Sequence, residues 1–185
     1  MRSRSHRGCR RRSPAPLDQF RVLYFATHGL LPGELRCQGE PGLALSPPSA
    51  ASASAGDDGI LYASEIASLK LNADLVVLSA CNTAAAGGTR FGGGALEGLA
   101  DSFFDAGARA VLASHWAVPS AATTKLMTDG FAKRGGNLAQ SLRQAQLAMI
   151  AQASTSHPFN WAAFTLIGDA GGTIAPMKTA QGGTR

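Results

Sequence analysis

The sequence predicts an α/β fold: a mostly parallel sheet with helices on both faces. Three observations carry that prediction. Short continuous apolar runs, Val22-Leu23-Tyr24-Phe25-Ala26 and Leu75-Val76-Val77-Leu78, have the composition of parallel strands buried on both faces. From the centre of the chain onward, such runs alternate with stretches of helical periodicity. Two of the runs lead into chemically able residues and then glycine: His28-Gly29 after the first, Cys81 and a glycine-rich loop after the second. In open α/β sheets, reactive groups collect just past the carboxyl ends of strands.

Taken in order, residues 1–19 read as a disordered leader, rich in arginine and ending near Ser13-Pro14-Ala15-Pro16. A first strand is predicted from Arg21 to Thr27. Leu43-Ala44-Leu45 reads as a short strand, and Ser46 to Gly56 as a Ser/Ala/Pro surface insertion. Asp57-Asp58-Gly59 signals a turn before Ile60-Leu61-Tyr62. A short helix to Leu69 then begins, with Ser64 as its N-cap. Asp74 opens the central strand, and the loop from Ala84 to Gly94 holds five glycines. Leu96, Leu99, Phe103 and Ala106 recur at helical spacing and predict a helix over 95–106, ended by Gly107 as a left-handed cap. Arg109 to Ser114 is the next strand. Ser120 caps a helix to about Arg134, and Asn137 caps another to about Ala153, with Leu142, Ala145, Leu147, Met149 and Ile150 as its apolar side. His157-Pro158 breaks it. Ala162 to Ile167 is a last strand, and the tail over 171–185 reads as flexible.

Composition bounds the function. A chain of 185 residues makes one domain, large enough for a core without metal or disulfide staples. The net charge of +5 is unevenly placed. Six of the 17 bases are arginines in the first dozen residues; the other 11 face 12 acids. The body is near neutral, so nucleic acid is not expected as the main partner. No apolar run approaches the roughly 18 residues of a membrane span, so no membrane partner is expected. Cys9, Cys37 and Cys81 have no metal-type spacing and no even count for a disulfide framework, which predicts a cytoplasmic protein. The arginine-rich start lacks the apolar region of a secretory signal; a transit peptide is the alternative to a disordered leader. The glycines at 87, 88, 92, 93 and 94 precede no Gly-Lys-Ser/Thr, which excludes a phosphate-binding P-loop. His6, His115 and His157 form no metal-like group, and no cofactor is expected.

Two readings stand for each reactive residue. Cys81 is either a small buried hydrophobe or a thiol at a strand end that substrate can reach. His28 is either a hydrogen-bonded structural residue or a base. Gly29 lets the backbone approach a ligand, and its N–H is a candidate donor to an oxyanion. The pairing of His28-Gly29 with Ser79-Ala80-Cys81 is sharper than either motif alone, since a cysteine nucleophile needs a base within reach.

A resemblance adds to this. Phe25-Ala26-Thr27-His28-Gly29, Asp58-Gly59-Ile60-Leu61 with Glu65-Ile66, and Ala73-Asp74 through Leu78-Ser79-Ala80-Cys81-Asn82-Thr83 fall in order along the chain. Ala106-Gly107-Ala108-Arg109, Ser114-His115-Trp116-Ala117-Val118 and His157-Pro158 with Trp161-Ala162-Ala163-Phe164 continue the series. Together they resemble the CHAT domain family, cysteine peptidases of the caspase-like clan that commonly sit behind tetratricopeptide repeats. The resemblance implies a three-layer caspase-like sandwich over 20–170, between the 1–19 leader and the 171–185 tail, in a bacterial protein. It implies His28 as general base, Cys81 as nucleophile, and the backbone N–H groups of Gly29 and Cys81 as the oxyanion hole. Ser79 and His115-Trp116-Ala117-Val118 would line the pocket for the residue before the scissile bond. None of these is a fixed acid or permanent cation, so an uncharged residue is expected there. The implied activity is a cysteine endopeptidase acting on a protein or peptide substrate.

Family members usually carry a longer segment before the histidine strand, and no repeat of about 34 residues occurs here. The domain is therefore expected to lack its N-terminal part and to expose a sheet edge beside the histidine strand. A repeat region or a separate chain would supply the missing part. The alternative function is an inactive remnant or protein-interaction module without turnover.

Overall fold

The computed structural model describes residues 16–35, 39–46, 58–79, 92–132 and 137–173. Its centre is a four-stranded sheet of β1 (Val22–Phe25), β5 (Leu75–Leu78), β6 (Ala110–Ser114) and β7 (Phe164–Gly168), in that spatial order. The first three strands run parallel; β7 returns antiparallel to β6. A second, three-stranded antiparallel sheet joins β2 (His28–Leu30), β3 (Gly42–Ala44) and β4 (Ile60–Tyr62). The described residues also form four α-helices: α1 (Ala63–Ala67), α2 (Gly92–Asp105), α3 (Ser120–Ala132) and α4 (Leu138–Ile150).

Two cores follow from the pleat, because successive strand residues point to opposite faces. Val76 and Leu78 of β5 join Val111 and Ala113 of β6 on one face, against Ile66 of α1 and Leu99 and Phe103 of α2. Leu75 and Val77 join Ala110 and Leu112 on the other, against Leu126 of α3 and Leu142 and Met149 of α4. Every residue of β5 and β6 is buried. That is the three-layer arrangement, with helices on both faces of a mostly parallel sheet. Among the described residues β1 is an outer strand of the sheet, and its Tyr24 is 49% exposed.

Several boundaries differ from the sequence expectation. The first strand stops at Phe25, and His28 opens a separate strand in the other sheet. Leu17–Gln19, inside the stretch expected to be disordered, forms a 3-10 turn, and Leu17 packs against the first core. Ser64 is not the N-cap of α1; its N–H and hydroxyl both donate to the Glu40 carboxylate, and Glu65 instead accepts the N–H of Tyr62 at 3.0 Å. Asn137 does cap α4, accepting the Gln140 N–H at 2.9 Å. Leu147 and Ile150, placed on the apolar side of that helix, are 46% and 40% exposed; Leu138, Leu142, Ala145 and Met149 form the buried stripe. Gly107 takes φ +106°, and a Cβ there would lie 2.6 Å from the Leu71 carbonyl, so both conformation and close approach require glycine. Of the insertion expected over 46–56 and the loop expected over 84–94, residues 47–56 and 84–91 lie outside the described residues, and Gly92 to Gly94 belong to α2 instead of the loop.

Candidate active site

The parallel register sets which residues meet. β1, β5 and β6 end on the same side of the sheet, so the segments after Phe25, Leu78 and Ser114 leave from one edge. Phe164 pairs with Ser114, so the segment entering β7 lies at that edge too. Phe25 is the register partner of Leu78. His28 follows Phe25 by three positions, and Cys81 follows Leu78 by three. Cys81 itself lies outside the described residues. Ser79, half-buried, extends the ladder one residue beyond β5: its N–H donates to the Phe25 carbonyl at 3.0 Å.

His28 is exposed at the start of β2 and pairs with Ala44 of β3. The hydroxyl of the preceding Thr27 also donates to the Ala44 carbonyl, which fastens the corner between β1 and β2 to β3. Gly29 is buried. The direction of its N–H follows from the neighbouring ladder. Leu45 donates to Gly59 at 2.7 Å, and Ala63 donates to the Pro41 carbonyl at 3.0 Å, so Pro41, Leu43 and Leu45 face β4. Antiparallel ladders alternate. Gly42 and Ala44 therefore face β2, where their partners are Leu30 and His28. Gly29, between those two, turns its N–H away from β3.

The residues after β6 separate into different environments. The His115 N–H donates to Ala163 at 2.9 Å, and its ring Nε2 shares a 2.8 Å hydrogen bond with the Thr165 hydroxyl of β7. Trp116 is half-buried, and its indole N–H donates to the Phe159 carbonyl at 3.0 Å. Ala117 is exposed, whereas Val118 is buried in the core beside Ala122 and Leu126. Among the described residues, no group of three or more His, Cys, Asp or Glu is arranged to hold a metal ion. No helix among them is long and apolar enough to cross a membrane.

Two features were not read from the sequence. The Thr27–Ala44 bond joins positions with no local signal. Phe159 stacks on Trp116, its ring centroid 6.3 Å away and its plane tilted 25°, across a separation of 43 residues. His157-Pro158 indicated only a helix break, although an aromatic beside a turn-forming proline was visible.

The comparisons bear on this geometry. A family model of the CHAT domain matches residues 11–169, well over half of the chain. Tetratricopeptide repeat protein 28 of Mus musculus is 38% identical over 112 residues, which is 59% of this chain and 4% of that protein. The Homo sapiens protein of the same name is 33% identical over 111 residues, with the same shares. The matched part of the chain thus spans a small fraction of these curated relatives.

Proposed function

The chain belongs to the CHAT domain family, a caspase-like domain, and from that membership we propose that it is a cysteine endopeptidase working through His28 and Cys81. The observation that carries the reading is the register: Phe25 and Leu78 are partners on neighbouring parallel strands, and in the sequence His28 and Cys81 each follow them by three positions, His28 as the first residue of β2. His28 accepts the Cys81 thiol proton as the sulfur attacks a peptide carbonyl. The resulting oxyanion takes the N–H groups of Gly29 and Cys81. The amine leaves with the proton from His28, and water hydrolyses the thioester. Base assistance contributes roughly 10²–10⁴ in rate, and one oxyanion donor roughly 10²–10³. Ser79 and His115-Trp116-Ala117 follow the ends of β5 and β6 and carry no fixed charge, which favours an uncharged residue before the scissile bond; Val118, expected beside them, is instead buried in the core with Ala122 and Leu126.

A second reading is an interaction module without turnover. It is favoured by the names of the curated relatives, which describe repeats and no chemistry. Alkylation by iodoacetamide, followed at each cysteine by mass spectrometry, separates the two. In the peptidase, Cys81 reacts faster than Cys9 and Cys37, and His28→Ala slows it by at least about tenfold. Equal rates with and without the imidazole in a folded protein would support the module.

A further inference from the structure

We propose that His157 makes the segment entering β7 sensitive to pH: its neutral ring holds the turn Pro158–Asn160 in place, and protonation of that ring releases the turn from Trp116. This goes beyond the peptidase reading and does not depend on it. The turn is a 3-10 turn with Pro158 at its first position. Proline has no N–H, so Phe159 supplies the first donor that needs an acceptor. That N–H donates to His157 Nδ1 at 3.2 Å. A ring nitrogen accepts only through a free lone pair, and in the imidazolium both nitrogens carry hydrogens and donate. The bond therefore exists with the neutral ring and is lost with the cation, which turns a second N–H toward the first. Imidazole is the side chain whose charge changes within the ordinary physiological range.

The same turn seats both tryptophans of the chain. The Trp116 indole donates to the Phe159 carbonyl at 3.0 Å, and its ring stacks on Phe159 with centroids 6.3 Å apart. The backbone N–H of Trp161 closes the turn on the Pro158 carbonyl at 3.2 Å, and its indole donates to the Ser156 carbonyl at 3.0 Å. Loosening the turn therefore changes the surroundings of both indoles. Few charges stand near enough in the fold to offset a cation here. From Ala110 to Thr124 and from Ala151 to Gly168 the titratable side chains are His115 and His157, and no Asp, Glu, Lys or Arg occurs. On the helices packed over this face, α4 carries Arg143, and α3 carries Lys125 and Asp129, bonded to each other at 2.8 Å. His115 responds differently from His157. Its Nε2 lies 2.8 Å from the Thr165 hydroxyl, which both donates and accepts, so that bond survives protonation. The Phe159 N–H can only donate, so the His157 bond does not survive.

The test uses the full chain at pH 8 and at pH 5, with two readouts: tryptophan emission, and hydrogen exchange at the Phe159 amide divided by its intrinsic chemical rate at each pH. In the parent protein the corrected exchange should quicken about two- to thirtyfold at pH 5, the range that loss of a helix-capping acceptor corresponds to, and the emission should shift to longer wavelength. His157→Asn keeps an acceptor one bond beyond Cγ, as Nδ1 is, and does not titrate. It should show slow exchange and unshifted emission at both pH values. His157→Ala should show the fast exchange and shifted emission at both. A transition that persists in His157→Asn, a parent protein without one, or a His157→Ala protein that matches the parent at pH 8 overturns the proposal.

Discussion

Thr27 shows how a single hydroxyl can place a catalytic candidate. Without its bond to the Ala44 carbonyl, the corner between β1 and β2 would be held to β3 by the His28 pairing at the very end of a three-residue strand. Thr27→Val keeps the shape and removes the donor. It should cost about 1 kcal/mol in urea unfolding, and it should slow alkylation of Cys81 toward the rate of the His28→Ala protein. Thr27→Ser should behave like the parent. A stability loss with unchanged alkylation would make Thr27 a structural residue only. The same scale explains why Leu147 and Ile150 were misplaced from sequence. A helix of this composition offers more apolar residues than one buried stripe can take, and only packing decides which are covered.

At the scale of elements, the amino ends of the central strands are clamped, and their carboxyl ends carry the candidate chemistry. Asp74, just before β5, is buried at 5% exposure. Its carboxylate accepts Arg21 Nε at 2.9 Å and a second N–H of the same guanidinium, while its own backbone N–H donates to the Arg21 carbonyl at 2.7 Å. Arg109, before β6, approaches the same carboxylate at only 3.8 Å, with a side chain 62% exposed. The magnitudes separate the two arginines. Charge-assisted bonds to a buried carboxylate are worth about 1.5–3 kcal/mol each way they are broken, whereas an exposed pair is worth about 0–1. Asp74→Ala should therefore lower the unfolding free energy by about 1.5–3 kcal/mol. Arg109→Gln should change it by less than about 1 kcal/mol. Chemical denaturation of both variants checks the contrast. Equal losses would mean that Arg109 shares the clamp.

For the whole molecule, the three-layer arrangement was legible because β5 and β6 are apolar on both faces and the helices that follow each of them repeat at helical spacing. The second sheet was not legible as a sheet. Its strands are three residues long, and their partners are set by a corner at Thr27 and by turns, not by a run of apolar residues. On the site, the sequence placed His28 and His115-Trp116 just past strand ends; His115-Trp116 do follow Ser114 of β6, whereas His28 opens β2 of the second sheet, three residues after β1 stops at Phe25. It did not reveal Phe159, since stacking between residues 43 apart depends on β7 turning back beside β6. The account as a whole stands on the crevice between the ends of β1 and β5. A crystal structure of the full chain that includes residues 80–91 measures it directly. It should place the Cys81 sulfur within about 4 Å of an imidazole nitrogen of His28, the loose end of hydrogen-bond reach for an unliganded nucleophile and base. A sulfur on the opposite face of the sheet, or one about 8 Å or more away with packed atoms between, far outside proton-transfer reach, would contradict it.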